Sequence, residues 1–245
     1  MILWINTPAD TKTPLQRDVK ATSVRYNDKR TLVAFNHDGH ELLSDVDMPK
    51  GIPQTEDGLN QRRRAILDAV AHLIIEKGFH DTSMSEISKA AGVGKSTLYD
   101  YFPSKDDILI AYVGDEIHYI TTQAEEIMAQ KLSAPEKIRR IMQKQLEYMA
   151  ANKPMYMRLT IELQRLGYAS QQRIQEHRHA YQDMLCHLVE QGIQNGEFRP
   201  VNPLLAIRGM FAYMSSAAFT TRPTGSLEEM MRDAVDIIFK GLEAR

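Results

Sequence analysis

The chain has 245 residues, enough for one substantial core or for a small module joined to a larger one. Its formal net charge of −2 excludes a globally basic nucleic-acid binder, so any such binding must rest on local positive charge. Cys186 is the single cysteine, which excludes an intramolecular disulfide and a cysteine-cluster zinc site.

No apolar run reaches the length of a membrane-spanning helix, and no basic segment precedes the short run Met1-Ile2-Leu3-Trp4-Ile5 as a secretory signal would require. A cytoplasmic protein with no membrane partner is expected.

Residues 1–56 differ in pattern from the rest. Alternating, β-branched stretches at 19–26 and 31–35 are separated by Asn27-Asp28-Lys29, and His37-Asp38-Gly39-His40 gives a second turn signal. They predict a small β-rich extension, a hairpin or meander. With seven Lys or Arg against nine Asp or Glu in residues 1–57, it is no simple basic arm. Met48-Pro49-Lys50-Gly51-Ile52-Pro53 reads as a linker.

From Leu59 the apolar period becomes helical. Ile66, Ala69, Val70, Leu73 and Ile74 make one face, and Gly78 is placed to end the helix. Further helices are expected over residues 104–128, 134–151, 154–166, 170–195, 203–221 and 226–242. The expected fold is mainly α, in three parts: the extension (1–56), a three-helix unit (57–104) and a larger helical body (105–245).

Between the first and second long helices lies the most informative stretch. Ser83 and Glu86 have capping-box spacing, so a short helix starts there and runs to Ala91. Gly92 suits a left-handed helix end, Val93 turns into the core, and a second short helix starts near Lys95. Ala90 and Ala91 permit close helix approach. Two short helices across a tight turn make a helix-turn-helix, whose second helix enters the major groove of DNA.

Gly78-Phe79, Thr82-Ser83, Ile87, Ala91-Gly92-Val93 and Leu98-Tyr99-Asp100-Tyr101-Phe102, followed by Ser104-Lys105-Asp106-Asp107-Ile108, stand in an order that resembles the TetR family of transcriptional regulators. The resemblance covers roughly residues 60–108. Gly94 and Ser96 depart from it, standing where the family usually has Ser and Gly or Ala. By this resemblance Ser83, Tyr99 and Lys105 contact phosphates, and Lys95, Ser96 and Asp100 lie near bases. Hydroxyls of Thr97 and Tyr101 are also available to phosphates or base edges. Arg62, with Arg63 and Arg64, either reaches the DNA backbone or minor groove or forms a solvated helix start.

Gly94-Lys95-Ser96-Thr97 imitates the end of a phosphate-binding P-loop. Lys89 occupies the position of that motif's first glycine and a capped helix precedes it, so the match is a decoy. No nucleophile–base set suggests an enzyme, and no cofactor is expected. His179, Asp183 and His187 share a helical stripe, but a row that long rarely converges on one metal.

In the body, Met142, Leu146 and Met149 share a face, as do Tyr156 and Leu159, and Met184, Met210 and Met214 add adaptable apolar surface. These eight are candidate effector contacts or, equally, ordinary bundle core. The family plan implies a homodimer through the two C-terminal helices, a roughly palindromic operator on double-stranded DNA, and release by a small, hydrophobic effector. The competing reading is a scaffold protein that keeps the fold and uses DNA binding to control a protein partner.

Overall fold

The computed structural model describes residues 56–242. Nine α-helices follow one another among these residues: α1 (Glu56–Lys77), α2 (Met84–Ala90), α3 (Lys95–Tyr101), α4 (Lys105–Met128), α5 (Ala134–Ala151), α6 (Lys153–Glu162), α7 (Tyr168–Gln194), α8 (Pro203–Phe219) and α9 (Leu227–Leu242). A one-turn 3-10 helix, Leu163–Arg165, extends α6. No helix among the described residues is long and apolar enough to cross a membrane.

Local chemistry sets most of the boundaries. Ser104 opens α4 with a reciprocal cap in which its hydroxyl accepts from Asp107 N–H at 3.2 Å while its own N–H donates to the Asp107 carboxylate at 3.1 Å. Ser133 caps α5, Asn202 caps α8, and Pro135 and Pro203 sit in the first turns, where a missing N–H costs nothing. Gly78 closes α1 in the left-handed region at φ +92.

Helix α1 packs on α2, α4 and α6, while α2 packs on α3. In the body α5 lies centrally, touching α4, α6, α7, α8 and α9, and α4 lies along α7. One continuous apolar cluster runs from Ile66 on α1 through Leu98 and Leu109 to Leu146, Tyr181 and Phe239. The three-helix unit and the body therefore share a core rather than meeting across a solvated gap.

The expected β-rich extension is corrected. The described chain is helical and contains no strand among the described residues, and the residues read as a hairpin lie outside them. Alternating sequence specifies a strand only where a sheet exists to pair with it, since a lone two-stranded hairpin is marginal in water.

Candidate nucleic-acid interface and effector cavity

The helix-turn-helix is built largely from local hydrogen bonds. Ser83 begins α2 in extended backbone; its hydroxyl accepts from Glu86 N–H at 3.2 Å and its N–H returns a bond to the Glu86 carboxylate at 2.8 Å. At the other end Gly92 takes φ +63, a conformation that costs an L side chain about 1–2 kcal/mol. The chain then folds back so that Val93 N–H donates to Ser88 O at 3.1 Å while the Ser88 hydroxyl donates to Val93 O at 2.7 Å. Ile87, Ala91, Leu98 and Phe102 are buried in the common core, with α3 packed on α2 and α2 on α1.

Helix α3 shows one side to solvent. Lys95, Ser96, Tyr99 and Asp100 are all exposed and, at positions i, i+1, i+4 and i+5, form one stripe; the Tyr99 side is 44% exposed. Gly94 gives no side-chain cap, so the first N–H groups of α3 have no internal acceptor there. Thr97 is half-buried beside the stripe, and Ser83 lies exposed at the start of α2. The structure thus brings five of the nine candidate DNA contacts, Ser83, Lys95, Ser96, Tyr99 and Asp100, to the surface.

The others are placed differently. The Tyr101 ring lies beside Phe102, with centroids 6.5 Å apart, and its buried hydroxyl has no hydrogen-bond partner. Lys105 is half-buried over the Phe79 ring, and its ammonium donates to the carbonyls of Phe79 (3.1 Å), His80 (2.7 Å) and Thr82 (3.0 Å). All three ammonium hydrogens are spent on the loop before α2, so Lys105 fixes that loop. Arg62 is half-buried on α1. Its neighbour Arg63 forms a two-pronged pair with Asp115 of α4 at 2.8 and 3.0 Å.

A second tie joins the reading head to the body. Glu162, 4% exposed at the end of α6, accepts from His80 N–H at 3.0 Å. Neither it nor the Lys105 clamp is visible in sequence, because the partners lie 82 and 23–26 residues away and are backbone groups common to every residue.

The Lys77 ammonium, the Ser83 backbone N–H and the Ser83 hydroxyl hold the Glu86 carboxyl down to about 2 from an ordinary 4.5. Because the folded value is depressed, its contribution to stability is complete above the ordinary carboxylate range and lost as pH falls toward 2. A carbon-13 titration of the Glu86 carboxyl is expected to show a midpoint near 2, and Ser83→Ala to raise it while weakening α2 by about 1 kcal/mol. An unshifted midpoint in the parent protein would contradict this cap.

In the body, a cavity of about 250 Å3 opens between α4, α5 and α7. Tyr119, Ile120, Ala124 and Ile127 of α4 line it with Ile141, Gln145 and Tyr148 of α5 and Tyr181 of α7; Lys144 and Glu147 also border it. The Tyr181 hydroxyl donates to Gln145 Oε1 at 3.2 Å, and the Tyr148 hydroxyl donates to Glu116. Burial, then the nearby Glu116 carboxylate, pushes the Tyr148 phenol above its ordinary value, and burial does the same to Tyr181. Both therefore stay protonated at neutral pH.

None of the eight residues that the sequence offers as effector contacts lines this cavity. Met142, Leu146, Met149, Tyr156, Leu159, Met210 and Met214 are buried in the common core, and Met184 is half-buried against it. The periodicity locates the core face of α5 correctly, whereas the cavity uses the adjoining face, 141, 145 and 148. The signal in the sequence is Gln145, a polar residue embedded in an apolar helix face.

Family comparisons agree with this architecture. The pattern of bacterial regulatory proteins, tetR family, matches residues 66–112, and that of the tetracyclin repressor-like C-terminal domain matches residues 131–242. The fatty acid metabolism regulator protein of Bacillus subtilis (strain 168) is 31% identical over 134 residues, which is 55% of this chain and 69% of that protein. The transcriptional repressor KstR2 of Mycobacterium tuberculosis (strain ATCC 25618 / H37Rv) is 25% identical over 145 residues, 58% of this chain and 72% of that one.

Among solved structures, the transcriptional regulator FadR from Bacillus subtilis in complex with stearoyl-CoA superposes with a TM-score of 0.66 at 26% identity, covering 73% of this chain and 98% of that one. The fatty acid degradation regulator FadR from Bacillus halodurans shares the fold, with a TM-score of 0.65 at 24% identity over 75% of this chain and 97% of that one. The chain belongs to the tetR family of bacterial regulatory proteins and is a DNA-binding transcriptional regulator rather than an enzyme.

Proposed function

We infer that this regulator is a homodimeric repressor that leaves a roughly palindromic operator when an apolar, acyl-type effector enters the cavity between α4, α5 and α7. The observation that carries the reading is the course of α4. Its first residue, Lys105, clamps the loop before α2, and its later residues Tyr119, Ile120, Ala124 and Ile127 form a cavity wall. With 24 residues it spans about 36 Å, so a small tilt caused by a ligand at one end displaces the reading head at the other. A coupling of about 1–3 kcal/mol, typical of linked sites, suffices to empty an operator.

The effector class is supported by the cavity's aromatic and aliphatic lining and by the stearoyl-CoA complex of the Bacillus subtilis FadR to which this chain is similar. A dimer is supported by Leu205, Tyr213 and Ile237, large apolar residues left exposed on α8 and α9, since such surface is costly to leave in water. A two-fold axis there would set two α3 helices into successive major grooves about 34 Å apart. Lys95, Ser96, Tyr99 and Asp100 would read the DNA, with Ser83 on a phosphate.

The test is fluorescence anisotropy of the purified protein with DNA from upstream of its own coding sequence, across salt. Tight, salt-sensitive binding is expected, weakened about tenfold or more by Tyr99→Ala and reversed by acyl-CoA. Specific binding that both acyl-CoA and the free fatty acid leave intact would exclude this effector class, and the absence of any specific site would sink the repressor reading.

A further inference from the structure

The cavity is not uniformly apolar. Gln145 lines it while being only 4% exposed, and its Nε2 has no hydrogen-bond partner. Its Oε1 accepts from the buried Tyr181 hydroxyl at 3.2 Å. In this arrangement the end of the amide left without a partner is the donor end. A buried donor without an acceptor costs roughly 1–3 kcal/mol, so an occupant that lacks an acceptor leaves the penalty standing.

Another buried donor without a partner is on α7, outside the residues that line the cavity. Arg178 precedes Tyr181 by three residues, hence one turn earlier on one face, and its Nη2 is also buried without a partner. Arg178 is 6% exposed, and burial alone pushes its guanidinium down to about 10. An oxygen acceptor would satisfy a buried N–H of this kind; a hydrocarbon would not.

We propose that the cavity selects an apolar molecule carrying an acyl oxygen, and that Gln145 Nε2, aligned by the Tyr181 hydroxyl, is the donor that receives that oxygen. Gln145 is thus a specificity-determining residue for the effector, and the inference rests on the effector reading given above. The acyl oxygen can belong to a free carboxylic acid or to a thioester, which share this acceptor. Discrimination follows the general rule that a buried donor rejects ligands unable to pair with it far more strongly than an apolar wall rejects a misfit.

The test compares three probes on the full chain by fluorescence and calorimetric titration: diphenylhexatriene, a hydrocarbon with no acceptor, then decanoate and decanoyl-CoA. Gln145→Met keeps the side-chain length and removes the amide. It is expected to weaken the better-bound acyl probe by about tenfold while leaving diphenylhexatriene binding equal or tighter. Tyr181→Phe, which frees Gln145 to rotate, should weaken acyl binding in the same direction by a smaller factor.

Retained diphenylhexatriene binding shows that the cavity is intact in each variant. Which acyl probe binds the parent protein more tightly identifies the source of the oxygen. Acyl affinity unchanged in both variants overturns the role of Gln145 while leaving the effector reading in place. If no probe binds the parent protein, the effector reading fails and this inference fails with it.

Discussion

Lys105→Met is expected to lower affinity for operator DNA by about 10- to 100-fold while the helical body melts almost as before. The methionine stem can still cover the Phe79 ring, but the three bonds to the Phe79, His80 and Thr82 carbonyls disappear. Bonds from a charged donor are worth about 1.5–3 kcal/mol each when buried, and less here because the loop is partly solvated. The loss falls on the loop that sets where Ser83 starts α2 and therefore where α3 points. Anisotropy binding curves read the affinity, and a circular-dichroism melt reads the body.

Salt dependence separates this clamp from a direct phosphate contact. A residue that neutralises one phosphate contributes about 0.9 to the slope of log affinity against log salt, so its removal flattens the line. A clamp leaves the slope nearly unchanged and lowers the whole line. Lys105→Met giving a flatter line with little loss at low salt would show that the ammonium faces DNA in the complex.

The next largest effect is expected at Gly78. Its φ of +92 lies where an L side chain is strained, and a Cβ built there would stand 2.6 Å from Glu162 Oε1. That carboxylate also accepts from His80 N–H, so it cannot move aside without breaking a part-buried bond. Strain of about 1–3 kcal/mol combines with the clash, and Gly78→Ala should lower Tm by roughly 5–15 °C.

Gly196 provides the control, since it has φ +74 but no neighbouring atom within 4 Å of the place a Cβ would take. Gly196→Ala thus incurs strain alone and should cost about 1 kcal/mol. Equal Tm losses for the two variants in differential scanning calorimetry would mean that Glu162 contributes nothing to the joint. A larger loss at Gly78, accompanied by weaker DNA binding, would show that the α6 contact both stabilises and orients the reading head.

What is legible from the sequence depends on interactions a few residues long. The helix-turn-helix can be read because Ser83 and Glu86 cap one another across three residues and Gly92 supplies the left-handed turn at φ +63. The body helices can be read because apolar residues recur at helical spacing and Ser, Asn and Pro mark their starts. Helix α4 begins one residue after the start expected at 104, and the segment expected over 154–166 is α6 followed by a 3-10 turn.

The same locality limits what alternation and period can say. Alternation at 19–35 suggests strands, but alternation fixes only which side chains would share a face and says nothing about whether a partner strand exists. The adaptability of methionine points to effector contacts, yet period alone cannot tell a face turned to a cavity from a face turned to the core.

Tertiary structure alone decided the functional geometry, because each part of it joins segments distant in the chain. Lys105 ends on three carbonyls of a preceding loop, Glu162 reaches a backbone N–H 82 residues earlier, and the cavity is closed by residues from α4, α5 and α7. Backbone donors and acceptors are the same at every position, so no residue pattern marks which will be used. Short-range capping and periodicity determined the helices of this regulator, whereas long-range packing determined which residues of α3 are exposed, where the cavity lies and how the helix-turn-helix is tied to the body.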